Sequence, residues 1–95
     1  MNQLTKDKKK WNAKWKKDFA HITWCESCGV QDGYGADRLT QAHSRKQRFI
    51  TTEEGCRESA KLCIKCHRAL DEATGENVHE RMRARILELI NARRT

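Results

Sequence analysis

The chain has 95 residues, of which 37% are hydrophobic and 35% are charged, so it is long enough for one domain with a thin apolar core. Its 20 Lys and Arg residues against 13 Asp and Glu residues give a net charge of +7, which favours a polyanionic partner such as nucleic acid. Because no apolar run approaches the roughly 18 residues of a membrane span, a membrane protein is excluded.

A basic N-terminal helix is predicted over residues 1–22. From Gln3 onward the segment lacks Gly and Pro, and its large apolar residues recur every three or four positions apart from one gap of seven. These apolar residues are Leu4, Trp11, Trp15, Phe19 and Ile22. Lysines fill the other face, where they lie either along phosphates or free in solvent. Trp11 and Trp15 pack against the rest of the domain, stack on nucleic-acid bases or dock on a protein partner, and their helical spacing favours packing.

The middle of the chain is predicted to hold a turn, a strand and a loop. Three glycines within residues 25–36 indicate a tight knuckle followed by a turn. Residues 38–42 then alternate like a short strand, which would deliver His43 at its end. The segment 44–50, SRKQRFI, follows as a basic loop.

Helices are predicted over most of the second half. Thr52, followed by two glutamates, is typical of a helix start, and this short helix would run to about Lys61. A further helix over residues 67–72 would stop near Gly75. The last helix is predicted over residues 76–93, since its apolar residues share one stripe. These residues are Val78, Met82, Ile86, Leu89 and Ile90.

Two cysteine pairs have the C-x2-C spacing of zinc knuckles, and together they predict one structural Zn²⁺ site. The four ligands would be Cys25, Cys28, Cys63 and Cys66. Cys56 would be left over as a small buried residue. With five cysteines and no apolar signal-peptide stretch in MNQLTKDKKK, we expect a cytoplasmic protein without a disulfide framework. Haem attachment at CIKCH would require export, and a redox dithiol would require a βαβ surround, so both explain the pattern less well.

A larger frame surrounds these pairs: C-x2-C, then L-x-x-A-H, then L-C-x-x-C-H. It runs over about residues 25–72 and resembles the HNH (His-Me finger, ββα-metal) endonuclease family in its four-cysteine form, which includes small phage proteins. The resemblance implies an α+β fold in which a zinc-stabilised treble-clef core over residues 25–72 lies between long N- and C-terminal helices. It also implies a phage-encoded protein working in the host cytoplasm.

The resemblance assigns the chemistry to two histidines. His43 would be the general base that activates water, and His67 would be a ligand of a catalytic divalent ion such as Mg²⁺. Basic residues near this pair would hold the DNA phosphates. These residues are Arg45, Lys46, Arg48 and Arg68. The chain departs from the family at Ala42, where a metal ligand usually precedes the base, and at Glu58, where an Asn is usual and where a carboxylate would be free to orient His43.

Three functions remain open on the sequence. The first is a metal-dependent DNA endonuclease that uses His43 and His67. The second is a non-catalytic, zinc-stabilised DNA-binding module that has lost cleavage, as Ala42 in place of a ligand suggests. The third is a protein-binding adaptor that docks through the Trp11/Trp15 helix.

Overall fold

A computed structural model describes residues 2–72 and 75–93. Its regular elements are helices α1 (Gln3–Asp18), α2 (Glu53–Arg57), α3 (Ile64–Asp71) and α4 (Val78–Arg93) and strands β1 (Leu39–His43) and β2 (Ser59–Cys63). Short 3-10 turns lie at Gly35–Asp37 and Gln47–Phe49. The fold is a small α+β arrangement around a two-stranded antiparallel sheet. Within the described ranges, every helix is too short or too polar to span a membrane.

The sheet decides which parts of the chain meet. Leu39 pairs with Cys63 at one end of the hairpin, and His43 pairs with Ser59 at the other. The beginning of β1 therefore lies beside the second cysteine pair, while its end lies beside α2. The histidine at the end of β1 was predicted, and the strand includes it as its last residue.

Strand β2 replaces the helix that was predicted to continue to Lys61. Helix α2 starts as expected, with the Thr52 side chain accepting a hydrogen bond from the Gly55 amide at 3.1 Å, but it ends at Arg57. Four of the five β2 residues are buried, and polar and apolar residues alternate along SAKLC as in a strand, but the stretch is too short for this alternation to stand out beside the helix start at Thr52. Pairing with β1 and burial on both faces outweigh the local helical pattern.

One face of the hairpin carries the hydrophobic core. Ala42 and Ala60 are opposite each other in the register, and both are fully buried beneath α4. Ile86 and Leu89 of α4 complete this cluster, which confirms the stripe predicted for the last helix. The helix begins at Val78, two residues later than predicted.

Helix α1 packs on α2. It ends at Asp18, four residues before the predicted end, and Met1 lies outside the described residues. Phe19 turns the chain, so that Ile22 enters the interior just before the first cysteine pair. Asp18 also forms an ion pair with Arg57 of α2, in which Arg57 Nη2 donates to Asp18 Oδ2 at 2.9 Å. Trp15 is 1% exposed, which confirms the packing alternative for that side chain.

Candidate metal centre and histidine groove

The four predicted cysteine ligands converge at one point. The sulfur atoms of Cys25, Cys28, Cys63 and Cys66 all lie within 4.8 Å of one another. The Cys28 and Cys63 sulfurs are 3.8 Å apart, and a tetrahedron built from Zn–S bonds of about 2.3 Å has edges of about 3.8 Å. In the part of the chain that the structure describes, no other group of three or more Cys, His, Asp or Glu ligands gathers this closely.

The backbone builds the first half of this cluster. The Cys25 amide donates to the Val30 carbonyl at 2.7 Å, and the Gly29 amide donates to the Cys25 carbonyl at 2.8 Å, so the chain folds back within six residues. Gly29 has φ +82°, a left-handed conformation that other residues adopt only under strain. On the other side, Cys63 ends β2 and Cys66 lies in the first turn of α3.

A buried carboxylate fixes the two halves together. Glu26 accepts a 2.7 Å hydrogen bond from the Lys61 amide of β2, and its own amide donates to the Lys61 carbonyl at 2.8 Å. Arg93, near the end of α4, adds two bonds of 2.6 and 2.7 Å to the same carboxylate. The side chain of Glu26 is only 5% exposed. Sequence reasoning missed this residue, since its partners lie far away along the chain.

Electrostatics explain why the cluster suits a cation. Burial and hydrogen bonding among the neighbouring thiols raise the pKa of Cys66 to about 12. Burial acts in the same direction on Cys25, but backbone amides of Cys28, Cys63 and Ser27 bring its pKa down to about 7. Four thiolates cannot share this space without a compensating positive charge. The cluster could therefore hold a structural metal ion such as zinc.

Cys56 takes no part in the cluster. It is 1% exposed, as expected for a small buried residue, and lies instead beside His43. Its sulfur donates to the Oδ1 atom of Asn12 in α1 at 2.9 Å.

His67 is the first residue after the cysteine pair in α3, and β1 holds its ring. The Thr40 hydroxyl donates to the Leu62 carbonyl at 2.8 Å, so its oxygen accepts from His67 Nδ1 at 2.7 Å. The lone pair of a neutral ring is then on Nε2, which faces Asp71 Oδ2 at 3.4 Å. Two acceptors face each other there, and a proton or a metal ion between them would satisfy both.

His43 is half-buried where β1 ends. Its Nε2 atom lies 3.1 Å from Asn12 Oδ1 and 3.9 Å from the Cys56 sulfur. Burial, with the electrostatic interaction between the two histidines next in size, lowers the pKa of His43 to about 4. The ring is therefore neutral at pH 7, which is the form that accepts a proton.

A groove of about 940 Å³ runs between α1 and β1, and both histidines line it. Its basic lining residues are Lys16, Arg38, Arg45, Lys46 and Lys61. Lys46 and Lys61 donate to the carbonyls of Asp71 and Ile22 at 2.8 Å. Among the described residues, Lys16, Arg38 and Arg45 form no ion pair within 4.0 Å, although Arg45 acts electrostatically on Glu58 and the carboxylates of Asp32 and Asp71 also line the groove.

Only part of the predicted basic set lines this groove. Arg45 and Lys46 do, whereas Arg48 lies over the Phe49 ring at 4.9 Å and Arg68 lines a separate hollow beside α3. The predicted phosphate-binding set did not include Arg38, which was assigned to the strand, or Lys61, which was assigned to a helix. Lys16 belongs to the lysine run of α1, for which contact with phosphates was one of two alternatives.

The two departures from the HNH frame lie away from the histidines. Ala42 is fully buried in the core beneath α4, on the strand face opposite its neighbour His43. Glu58 receives hydrogen bonds of 2.8 and 3.3 Å from Arg83 of α4. The carboxylate is thus held by Arg83, and Asn12 contacts His43 in its place.

No protein-family model matches the chain, and neither a curated protein nor a solved structure matches it. Its function must therefore be inferred from the groove and the cysteine cluster themselves.

Proposed function

We propose that this protein is a metal-dependent endonuclease of the HNH type, with a treble-clef (ββα-metal) core that a structural zinc ion stabilises. The observation that carries the proposal is the pair of histidines in one basic groove: His43 is neutral, and His67 directs a lone pair toward Asp71. Phosphodiester hydrolysis needs a proton acceptor and a cation beside the phosphate, and this groove offers candidates for both.

The two histidines have different tasks in this mechanism. His43 takes a proton from the attacking water, because its ring is neutral at pH 7. His67 Nε2 and Asp71 Oδ2, which lie 3.4 Å apart, would hold a divalent ion such as Mg²⁺. When bound, the ion stabilises negative charge on the phosphate and on the leaving oxygen.

Basic residues on both walls of the groove position the DNA. Arg38 and Arg45 offer guanidinium groups that can bind phosphate oxygens in pairs, and Lys16 adds a charge from α1. Each such contact releases counterions, so DNA affinity should fall as salt rises.

The test is incubation of the zinc-loaded protein with supercoiled, linear and branched DNA in Mg²⁺ or Mn²⁺. Nicking by the wild-type protein, lost in His43→Ala but retained in His79→Ala, would support the proposal. His79 is the matched control because it lies on α4 and does not line the groove. Absence of nicking in every divalent ion would refute it.

A non-catalytic DNA-binding module is the second candidate. The observation that favours it is that Ala42 supplies no donor atom, so His67 and Asp71 would hold the ion alone among the described groove residues. Salt-sensitive DNA binding without cleavage would select this function. An adaptor that docks through α1 would have to use Trp11, since Trp15 is buried.

A further inference from the structure

Helix α1 contributes a side chain to the histidine site although it lies outside the zinc-bearing core. Asn12 is in the middle of α1, and its Oδ1 atom lies 3.1 Å from His43 Nε2 and 2.9 Å from the Cys56 sulfur. Asparagine is a weak helix former in such a position, since its amide competes with the backbone. Asn12 is half-buried and lowers the stability of α1, and its contacts with His43 and Cys56 offset this loss of stability.

The Asn12 amide turns its oxygen toward Cys56 and His43. The Cys56 thiol donates to Asn12 Oδ1 at 2.9 Å, which agrees with this direction of the amide. With its oxygen turned toward Cys56, the amide also presents that oxygen to His43. An amide oxygen only accepts, so the proton between Asn12 and the ring has to be on His43 Nε2.

We infer that Asn12 is a positioning residue for His43: it holds the imidazole in the Nε2–H tautomer and thereby leaves Nδ1 as the atom that accepts a proton. Helix α1 thus completes the site, in addition to carrying lysines. This inference rests on the proposed function for its catalytic consequence, but the tautomer itself does not depend on cleavage.

Three substitutions separate positioning from simple structural support. Asn12→Ala removes the acceptor while suiting a helix interior, so the fold should persist. Asn12→Asp keeps an acceptor oxygen at the same place. Cys56→Ser is the matched control, since its hydroxyl can still donate to Asn12 and leaves the bond to His43 in place.

The readout is the pair of ¹⁵N shifts of the His43 ring, measured by long-range ¹H–¹⁵N correlation in the zinc-loaded protein at pH 7. We expect Nε2 to be protonated in the wild-type protein, in Asn12→Asp and in Cys56→Ser, and a mixture of both tautomers in Asn12→Ala. Nicking by Asn12→Ala should fall roughly 10- to 100-fold, the usual effect of removing a partner that orients a functional histidine. Asn12→Asp should restore most of it.

Two results would overturn the inference: a wild-type ring protonated on Nδ1, or an Asn12→Ala ring whose tautomer is unchanged. If the tautomer shifts as expected while the wild-type protein cuts no nucleic acid, the positioning contact stands and the proposed nuclease function fails.

Discussion

The cysteine cluster and the histidine groove hold their side chains in different ways. Backbone geometry forms the cluster: a tight turn at Gly29 and the junction between β2 and α3 bring four sulfurs within 4.8 Å. Side chains from three elements form the groove, where Asn12, Thr40 and Asp71 contact the two histidine rings. The four cysteines would enclose an ion on all sides, whereas the groove is open to solvent and, under the proposed function, would admit DNA and an exchangeable ion.

Because of this difference, we expect the cysteine cluster to determine the stability of the fold and the groove to determine any reaction. A four-thiolate site leaves no position for substrate, so a metal ion held there acts on the fold. Under the proposed function, an ion held in the groove by only His67 and Asp71 would keep coordination positions for water and phosphate. Damage to the cluster should therefore unfold the protein, while damage to the groove should leave it folded and inactive.

The largest effect is expected at the cluster. Cys25→Ser or Cys66→Ser should unfold the domain, because zinc bound at this cluster would contribute about 10 kcal/mol, comparable with the whole stability of a domain this small. Circular dichroism and zinc content measure the outcome. Cys56→Ser is the control, since Cys56 lies outside the cluster. Equal damage from Cys56→Ser would show that the ligands are wrongly assigned.

A carboxylate at position 42 tests whether this side chain lies in the apolar core or faces the groove. Ala42→Asp would supply the ligand that the HNH family usually has, but the side chain would enter the apolar cluster with Ala60 and Ile86. We expect a loss of about 3 kcal/mol or more in the free energy of unfolding. Ala69→Asp, on the exposed side of α3, should lower it by only about 1 kcal/mol, through helix propensity and the helix dipole. Tighter divalent-ion binding by a stable Ala42→Asp protein would contradict the packing described for β1.

In the groove, His43→Ala should leave the fold and DNA binding intact but lower the cleavage rate by about 10²- to 10⁴-fold. Because burial lowers the pKa of His43 to about 4, the proton acceptor is already neutral above about pH 5. The wild-type rate in single-turnover nicking should then show no loss of His43 function between pH 8 and pH 6. A fall with a midpoint near pH 6.5 that His43→Ala abolishes would mean that the ring is more exposed to water than its packing indicates.

A smaller effect is expected from the groove arginines. Arg38→Glu and Arg45→Glu should each weaken DNA binding and lower the slope of log affinity against log salt by about 0.9 for each phosphate that the protein no longer neutralises. Lys6→Glu and Lys9→Glu make the same charge change on exposed positions of α1 that do not line the groove, so they should have less effect. Fluorescence anisotropy with duplex DNA at several salt concentrations measures both. Equal weakening at all four positions would show that only net charge attracts the DNA.

The contrast between cluster and groove also explains what the sequence could predict. The C-x2-C pairs are local motifs, so the sequence alone predicts which four cysteines converge. The stripe of α4 and the Thr52 cap were predicted for the same reason, since each depends on neighbours within a few turns.

Features that depend on distant contacts were missed. The β2 segment is too short to be recognised as a strand without its pairing to β1. Glu26 has no distinguishing neighbours in the sequence, because its partners Lys61 and Arg93 are distant along the chain. The position of Asn12 beside His43 follows from the packing of α1 on α2, which no periodicity in either helix indicates.

The most direct test that the groove holds its own ion, separate from the cysteine cluster, is Mn²⁺ binding by the zinc-loaded protein, measured by electron paramagnetic resonance. The wild-type protein should bind one Mn²⁺ in addition to its zinc, and His67→Ala and Asp71→Asn should each weaken that binding by about tenfold or more without loss of zinc. His79→Ala should bind Mn²⁺ as the wild-type protein does. Failure of the wild-type protein to bind a second ion, or unchanged Mn²⁺ binding in both His67→Ala and Asp71→Asn, would contradict the account.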